Sequence, residues 1–366
     1  MVLAWGIYAL KVVWGGPKVG DEELKSVREA LMEGWISGSF RSPYVGQLEK
    51  EFAETVNVKY AIAVCNGTCA LIASLLSLKH LFGELTISLP TWTFISTYTA
   101  AKLIGREIHL VDSLKSTFNI NYNKIDVSDT NVIMPVDVGG VPCDYNEIRA
   151  LSKIVLADSA EALGAEYNGT KLGGIADITC FSFHATKVVT CGEGGVITTN
   201  NSKYAKIIRQ IINQGYREGR RVEYIHEIEG YNFRLNSLSS ALALAQLRKL
   251  NEHLKHRRGI ARIYQDICSC PSVERQLVPL DRTSGHFVFT ILVQAEKREK
   301  IVKNLLDEDI EVRVWRPVHL QPFFKDKENH PVAEELYRRN IQLPITNTIS
   351  EEQAKYVAEK VKKHLK

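Results

Sequence analysis

Lys187 is the residue whose surroundings most clearly suggest chemistry. It lies in the stretch CFSFHATKVVTCG, residues 180–192, where it is the only formally charged side chain. Burying an ammonium group among apolar neighbours is costly, and desolvation lowers the pKa of the amine. A neutral lysine amine is a nucleophile that forms Schiff bases with carbonyl compounds. A lysine that is ion-paired or reaches the surface has the same local pattern, so this stretch alone leaves both interpretations open.

Asp158 directly follows the apolar run IVLA, which is typical of a buried strand. The carboxyl ends of parallel strands are where open α/β sheets bind ligands. A carboxylate in that position can keep a pyridine nitrogen protonated, which is what the protein contributes in pyridoxal phosphate chemistry. The alternative, in which Asp158 caps a helix, fits the local sequence equally well.

The segment Asn66-Gly67-Thr68 joins a predicted strand to a predicted helix. Free backbone N–H groups and the helix dipole favour an anion at such a junction. Glycine allows close backbone approach, the Thr68 hydroxyl can donate, and Ser182 is a candidate second phosphate ligand. Neither GxxxxGK[ST] nor GxGxxG occurs here, which disfavours a nucleotide-binding fold.

Composition excludes several classes of protein. The 366 residues are 45% hydrophobic and 24% charged, as in folded globular proteins and unlike disordered chains. The formal charge of +4, from 46 basic and 42 acidic residues, does not suggest a nucleic-acid binder. The densest basic run, LRKLNEHLKHRR at residues 247–258, is interpreted as the solvated face of a helix.

The cysteines and the N-terminal segment indicate the cellular setting. The seven cysteines include no CxxC pair, and no HExxH motif occurs. We therefore expect no metal site and interpret the cysteines as reduced thiols of a cytoplasmic protein. The apolar start, MVLAWGIYALKVVWGG, is too short to span a bilayer and lacks signal-peptide features, so we expect no membrane association.

The order of elements predicts an α/β fold. Up to about residue 215, short apolar runs alternate with helical patterns, which favours a mainly parallel sheet between helices. The predicted strands are YAIAVC, ISLP, IHLV, NVIMPV and IVLAD, with ADITCFSF and GGVITTN on either side of Lys187. Further on, the strands HFVFTILVQ and IEVRVWRP enclose the helix KREKIVKNLLDED and predict a small α+β domain. The expected domains are residues 1–250 and 251–366.

Helix starts are readable at three places. Asp21 and Asn236 are predicted caps, and Ser350 begins a capping box that Gln353 completes. The apolar positions of the first of these helices predict its buried face: Leu24, Val27 and Leu31.

These features, in this order, resemble the DegT/DnrJ/EryC1/StrS family of sugar aminotransferases over nearly the whole chain. The matching segments are GWISGSF, NGTCAL, PTWTFISTYTA, DSAEALGA, GGIADITCFSFHATK, GEGG, GYNFRLNSLSSALALAQLRKL, RPVHLQPFF and LPIT. The resemblance implies pyridoxal phosphate (PLP) fold type I, with a large α/β domain and a small C-terminal domain. It also implies a homodimer whose active sites lie at the interface between the subunits.

The resemblance assigns a role to each candidate residue. Lys187 would be the Schiff-base lysine and proton carrier, and Asp158 would pair with the pyridine nitrogen. Phe94 would stack on the cofactor ring, and Asn232 would reach the phosphate bound by the neighbouring subunit. The residues expected to hold the phosphate within one subunit are Gly67, Thr68, the backbone of Cys69, and Ser182.

Two positions depart from the commonest family pattern. Glu161 stands where glutamine often contacts the phenolic oxygen of PLP, and a carboxylate beside a phenolate is repulsive unless one is protonated. Asp137 stands where many members carry histidine. Trp35 and His319 lie in segments near the substrate site of the family, and packing roles fit them equally well.

The implied reaction transfers an amine from an amino acid, in this family most often glutamate, to a keto sugar. The usual acceptor is a nucleotide-linked 3- or 4-keto-deoxyhexose, in the biosynthesis of surface polysaccharides or natural products. Amination of a non-nucleotide cyclic ketone, such as a cyclitol, remains open. Lys187 argues against the family's dehydratases, which carry histidine there. A non-catalytic regulatory protein is a further alternative, although no DNA-binding segment supports it.

Overall fold

A computed structural model of the chain describes residues 11–38, 42–216, 223, 225–325 and 328–365. Within these residues the α-helices are α1 (Asp21–Met32), α2 (Pro43–Val56), α3 (Gly67–Phe82), α4 (Ile95–Ile104), α5 (Tyr145–Ala150), α6 (Ser202–Ile212), α7 (Ser237–Arg248), α8 (Leu250–Gln265), α9 (Ala295–Asp307), α10 (Pro331–Arg339) and α11 (Glu351–Leu365). The strands are β1 (Tyr60–Val64), β2 (Thr86–Pro90), β3 (Glu107–Val111), β4 (Val132–Ile133), β5 (Ile154–Asp158), β6 (Glu166–Tyr167), β7 (Thr170–Lys171), β8 (Ile178–Ser182), β9 (Gly195–Thr199), β10 (Glu274–Arg275), β11 (Arg282–Thr283), β12 (Phe289–Leu292) and β13 (Asn340–Leu343).

The main sheet has seven strands in the order β1-β9-β8-β5-β4-β2-β3. Strands β8, β5, β4, β2 and β3 pair in parallel, and β9 runs antiparallel to both of its neighbours. Apolar clusters cover both faces of this sheet, as expected when strands read as continuous apolar runs. The predicted mainly parallel mixed sheet between helices is confirmed.

A separate C-terminal core surrounds the antiparallel sheet β10-β12-β13. Helices α9 and α11 supply apolar residues to it, as does the second half of α8. Val12, near the N-terminus, also packs in this core and bridges to Ile310. The C-terminal part of the chain also contacts the N-terminal part, because β11 pairs with β6 in an antiparallel arrangement. The division into domains at residue 250 stays a prediction.

Several predicted helix starts are confirmed. The Asn236 side chain accepts a hydrogen bond from the Ser239 amide at 2.8 Å. The capping box is present in both directions: the Gln353 amide donates to Ser350 Oγ at 3.1 Å, and the Ser350 amide donates to Gln353 Oε1 at 2.9 Å. At the first helix the prediction is wrong, because Asp21 is the first helical residue and Gly20 is the cap.

The first helix also buries a different face from the predicted one. Glu23 and Ala30 are its buried residues, whereas Leu24 and Leu31 are 64% and 52% exposed. The Glu23 carboxylate is satisfied by Lys249 and Gln246, which explains how an acidic residue can be buried here. The apolar stripe is present, with Val27 half-buried, but among the described residues nothing covers Leu24 and Leu31.

The segment IEVRVWRP is not the strand that its alternating pattern predicts. Ile310 and Arg313 form only isolated bridges, to Val12 and Gln342. Among the described residues, no helix is both long enough and apolar enough to cross a membrane.

Candidate active site

A cavity of about 810 Å³ opens at the carboxyl ends of the main-sheet strands. Asn66, Asp158 and Ser182, at or just after the ends of β1, β5 and β8, line it. Trp315 and Phe287 contribute from the C-terminal part of the chain. The cavity therefore lies where an open α/β sheet brings residues distant in sequence together.

Lys187 lies in this cavity with its side chain only 15% exposed. Its Nζ is 3.8 Å from Glu161 Oε1 and 3.9 Å from the centre of the Phe287 ring. Burial lowers the pKa of the Lys187 amine; the carboxylates of Glu161 and Asp158 oppose this, and the guanidinium of Arg257 adds to it. Burial, the predicted cause of a nucleophilic lysine, is thus present.

Asp158 ends β5 and is buried. Thr97 Oγ1 donates a hydrogen bond of 2.7 Å to its Oδ2, and the Ala160 amide donates one of 3.1 Å to its Oδ1. Burial raises the pKa of Asp158, while these two hydrogen bonds and the charge of Lys187 lower it. The Thr97 hydroxyl fixes the orientation of the carboxyl group toward the cavity floor.

Glu161 is held from the opposite side. The Gly139 amide donates to its Oε2 at 2.8 Å, in a turn where Gly139 has φ of 64°. This left-handed conformation favours glycine. Burial raises the pKa of Glu161, Lys187 lowers it, and Asp158 raises it further. Two buried carboxyl groups and one buried amine therefore share a small volume.

The start of α3 forms an anion cradle. Cys69 and Ala70 donate their amides to Asn66, at 2.8 Å to the side chain and 3.0 Å to the carbonyl. Since the first N–H groups of a helix lack intrahelical partners, the amides of Gly67 and Thr68 are left without a partner among the described residues. The amide of Cys69, expected to contact phosphate, is instead engaged by its cap.

Hydroxyl groups surround this cradle. Thr68 Oγ1 donates to Ser96 Oγ at 3.0 Å, and Ser182 Oγ accepts from the His184 amide at 3.3 Å. A Cβ atom added to Gly67 would lie 3.0 Å from Ser182 Cβ, so the backbone of α3 approaches β8 closely. The predicted Gly67, Thr68 and Ser182 are thus brought together.

The mouth of the cavity is aromatic and carries one guanidinium group. Phe94 is 58% exposed, and its ring centre lies 5.8 Å from that of Trp315. Arg313 lies over the ring of Trp14 at 5.7 Å. Within the described residues Arg313 makes no ion pair. Of these mouth residues, only Phe94 is a predicted site residue.

Three predicted residues do not line this cavity. His319 is buried, with its Nδ1 2.6 Å from Thr91 Oγ1. Burial lowers the pKa of His319 to about 4, and nearby His330 adds to the effect. Trp35 is half-buried outside the cavity, and Asn232 is exposed, pairing through its backbone with Asn213. The exposure of Asn232 leaves it free to contact another subunit.

One interpretation of the sequence is wrong. The basic run at residues 247–258 is not uniformly solvated, because His253 and Arg257 are 2% and 1% exposed. His253 Nδ1 lies 3.0 Å from the carbonyl oxygen of Val188, next to the candidate lysine. The signal in the sequence was spacing: these two residues are four apart and therefore share a helix face with the apolar Leu250 and Leu254.

Comparison with known proteins agrees with this geometry. The sequence profile of the DegT/DnrJ/EryC1/StrS aminotransferase family matches residues 17–362. A protein of Escherichia coli O157:H7 named GDP-perosamine synthase is 36% identical over 356 residues, which cover 94% of this chain and 96% of that protein.

Solved structures show the same fold. Helicobacter pylori PseC, an aminotransferase involved in the biosynthesis of pseudoaminic acid, superimposes with a TM-score of 0.91 at 24% identity, covering 97% of this chain and 99% of the other. The PLP form of Streptococcus pneumoniae Spr1654 gives 0.89 at 24% identity, with 97% and 98% covered. The fold is therefore PLP fold type I, as the resemblance implied. The chain belongs to the DegT/DnrJ/EryC1/StrS aminotransferase family and is a PLP-dependent aminotransferase.

Proposed function

We propose that this enzyme transfers an amine from an amino acid, with glutamate as our candidate donor, to a nucleotide-linked 3- or 4-keto-deoxyhexose. One observation carries the proposal: a lysine whose side chain is 15% exposed lies beside Glu161 and the buried Asp158, in a cavity with an anion cradle and an aromatic mouth. The similarity to a protein named GDP-perosamine synthase supports a nucleotide-linked sugar and makes a GDP-linked acceptor the first to test.

The residues of the cavity fit PLP. The free amides of Gly67 and Thr68 suit a phosphate, because helix N-termini favour anions and a side chain on Gly67 would crowd Ser182. Asp158 would hold the pyridine nitrogen protonated, Phe94 would face the ring, and Lys187 would carry the aldehyde. When bound, PLP supplies a ring that takes up the electron pair released at the α-carbon of the amino acid.

Lys187 would also move the proton. A catalytic acid or base works best when its pKa lies near the working pH, so that it is often in the state it needs. Burial lowers the pKa of Lys187 toward that range. Its Nζ can take the proton from the donor's α-carbon and return it to the cofactor, and the reverse sequence aminates the sugar.

Glu161 would act as a neutral acid toward the phenolic oxygen of PLP. Burial raises its pKa, and one of its oxygens already accepts the Gly139 amide. A protonated carboxyl group can donate to that oxygen without the repulsion that two anions would suffer. This is how we account for glutamate at a position where glutamine is common.

The mouth supports a nucleotide sugar over a cyclitol. Aromatic faces at Trp14 and Trp315 suit a base or a sugar ring, and an unpaired guanidinium suits a diphosphate. A cyclitol ketone carries no phosphate for Arg313. A purely regulatory role is disfavoured, because a lysine beside two carboxyl groups in this cavity suits proton and amine transfer.

We further propose that the protein works as a homodimer with shared sites. The apolar stripe of α1 supports this: Leu24 and Leu31 are 64% and 52% exposed. Contiguous exposed apolar side chains mark interaction surfaces. The exposed Asn232 would then complete the phosphate site of the neighbouring subunit.

The test of function begins with the attachment of PLP. Borohydride should fix PLP to a single peptide containing Lys187, and Lys187→Ala should lower the multiple-turnover rate by about 10³-fold or more, as expected when a general base is lost. Arg258→Gln, a half-buried cation outside the cavity, is the matched control and should retain activity. Normal turnover by Lys187→Ala would overturn the assignment.

The substrate is then identified by a panel. The pyridoxamine form is incubated with GDP-, dTDP- and UDP-linked keto-deoxyhexoses and with a cyclitol ketone, and the return of the aldehyde-form absorption is followed. We expect a nucleotide-linked sugar to restore it and the cyclitol ketone to leave it unchanged. A response to the cyclitol ketone alone would show that the acceptor proposal is wrong.

A further inference from the structure

Arg257 is a buried arginine that has no counterion in the part of the chain that the structure describes. It lies in α8 and is 1% exposed. Among the described residues it makes no ion pair, and its partners are neutral oxygens. Burying an unpaired charge costs free energy, so such a residue is poor evidence for stability and calls for another role.

The oxygens around Arg257 belong to both walls of the active site. Its Nη2 donates to the carbonyls of Thr186 and Lys187, at 3.2 and 3.3 Å. Its Nη1 donates to the carbonyls of His286 and Phe287, both at 3.4 Å. These four bonds are long, but one planar group makes all of them, and the guanidinium has the fork geometry that this requires.

A short hydrogen bond anchors the guanidinium group itself. Arg257 Nε donates to Asn347 Oδ1 at 2.7 Å, and Asn347 Nδ2 donates to the carbonyl of Val188 at 3.0 Å. The backbone on both sides of the Lys187 side chain is therefore tied to α8 and to the segment before α11.

Resting on the function proposed above, we infer that Arg257 is a positioning residue that holds the backbone of Lys187 and the ring of Phe287 in register, so that the lysine amine faces the cofactor.

The strained conformation of His286 supports this role. Its φ of 48° is left-handed, which costs a non-glycine residue free energy and persists only where the surroundings enforce it. The Arg257 bond to its carbonyl is one such constraint. The next residue, Phe287, places its ring 3.9 Å from Lys187 Nζ, so the strained turn sets the wall against which the amine rests.

Arg257 also contributes a charge. The charged groups that face the Lys187 amine are Glu161, Asp158 and Arg257, and the first two raise its pKa whereas Arg257 lowers it together with burial. Loss of the guanidinium would therefore have two effects. It would loosen the backbone around Lys187, and it would raise the pKa of the Lys187 amine. The two effects are separable, because a lysine at position 257 keeps the charge but not the fork.

The experiment uses the full-length holoenzyme and four variants. Arg257→Gln removes both the charge and the planar set of guanidinium donors, and Arg257→Lys removes only the planar set of donors. Asn347→Ala removes the side chain that anchors the guanidinium group. Arg258→Gln, the adjacent arginine, for which no hydrogen bond is found among the described residues, is the control. The readouts are amide hydrogen exchange of residues 184–189, the pH midpoint of the bound-cofactor absorption band, and the separate values of kcat and KM.

We expect exchange at 184–189 to rise about tenfold in both Arg257 variants and in Asn347→Ala, since local opening replaces protected backbone. The absorption midpoint should rise in Arg257→Gln only, because of the three variants it alone removes the guanidinium charge that lowers the pKa of Lys187 together with burial. A small displacement of a reacting group can cost about 10²-fold in rate, so kcat should fall by up to that factor while the donor KM stays within about threefold.

Two results would overturn the inference: wild-type exchange at 184–189 in the folded variants, or the same increase in Arg258→Gln. If Arg257→Gln does not fold, Arg257→Lys and Asn347→Ala decide the question, because neither substitution changes the net charge of this buried region. Failure of the proposed function looks different. In that case the wild-type protein itself gives no cofactor band and no borohydride-labelled Lys187.

Discussion

At the scale of single residues, the site is a balance among three buried ionisable groups. Burial lowers the pKa of Lys187 and raises the pKa of Asp158 and of Glu161, so each group is pushed toward its neutral form. The attraction between the Lys187 ammonium and the two carboxylates acts in the opposite direction, whereas Asp158 raises the pKa of Glu161 further. Pairs of ionisable groups whose surroundings shift their pKa values are typical of sites that transfer protons.

Arg313 is the residue at which substrate recognition can be tested. Replacing Arg313 by Gln removes the guanidinium at the mouth while leaving the residue's backbone bonds to Gln342 in place. If it binds the sugar diphosphate, KM for the sugar should rise about tenfold or more, the scale of one charge-assisted hydrogen bond, with KM for the amino donor unchanged. Steady-state kinetics with each substrate varied in turn measures both.

The matched control is Arg316→Gln, an exposed arginine whose guanidinium binds the Tyr337 hydroxyl and which does not line the cavity. It should leave both KM values unchanged. A rise in the donor KM alone in Arg313→Gln would assign that guanidinium to the carboxylate of the amino acid instead.

Site residues could be predicted where the neighbouring sequence indicates their chemistry. They could not be predicted where their role depends on contacts with residues distant in sequence. An apolar setting singled out Lys187, and a strand end singled out Asp158. The helical spacing of Arg257 with Leu250 and Leu254 indicates burial but does not identify its partners, because the carbonyls that it binds lie between 29 and 71 positions away in sequence. Thr97 was missed for the same reason, since its bond to Asp158 joins α4 to the end of β5.

At the scale of elements, the junction between β1 and α3 decides how closely phosphate can approach. Gly67→Ala places a methyl group 3.0 Å from Ser182 Cβ, so one of the two backbones must shift. We expect the dissociation constant for PLP to rise about tenfold, equivalent to about 1.4 kcal/mol, with little change in helix content. Fluorescence titration of the cofactor-depleted protein measures it.

Gly46→Ala in α2 is the control for that substitution. A Cβ there meets nothing within 4 Å, so the change should leave PLP affinity unchanged and stabilise the helix by up to about 1 kcal/mol. If Gly67→Ala binds PLP with the same affinity as the wild-type protein, the start of α3 is not the phosphate site.

The turn after β4 carries the buried Asp137, whose contribution to the stability of the fold depends on pH. Burial raises the pKa of Asp137 from 3.8 to about 6, against hydrogen bonds from Ser159, Cys143 and Tyr145. Its contribution to stability is full below the unfolded pKa and is lost as the pH rises through the folded pKa. A shift of about two units corresponds to about 3 kcal/mol.

Asp137→Asn should remove this dependence. The difference in unfolding free energy, variant minus wild type, should increase by most of about 3 kcal/mol between about pH 4 and about pH 7, and then remain constant. Urea unfolding over that range measures the difference. A difference that does not vary with pH would show that Asp137 is already ionised in the folded protein at low pH.

Hydrophobic periodicity and capping residues predicted the helices and strands well where contacts within one chain determine them. Asn236 and Ser350 cap as expected, since caps are local. The stripe of α1 predicted the wrong buried face because no described part of the chain covers Leu24 and Leu31. The alternating run IEVRVWRP failed as a strand because its residues form only isolated bridges.

At the scale of the whole molecule, the exposed Leu24 and Leu31 of α1 and the exposed Asn232 support the proposed second subunit. A symmetric dimer buries the same surface twice and can lend each site a residue from the other chain. The sequence predicts such a dimer only through the family resemblance, because no local pattern encodes which exposed residues meet across a symmetry axis.

Mixed dimers test whether the site is shared. We take a subunit with Lys187→Ala and a subunit with Asn232→Ala, each inactive as a homodimer at limiting PLP. If Asn232 serves the neighbouring site, a mixed dimer has one site with both defects and one site with none. Random association of equal amounts makes half of the dimers mixed, so activity should recover to about a quarter of that of the wild-type dimer.

If Asn232 serves its own subunit, each site of the mixed dimer keeps one defect and activity stays at the level of the separate homodimers. Native mass spectrometry confirms that subunits have exchanged, which makes an absence of recovery interpretable. Lys187→Ala mixed with Arg316→Gln gives the upper control, and it should show about half of the wild-type activity before and after exchange, because each Arg316→Gln subunit keeps an intact site. If the control keeps that activity, exchange is confirmed and the test pair does not recover, Asn232 lies outside the neighbouring site.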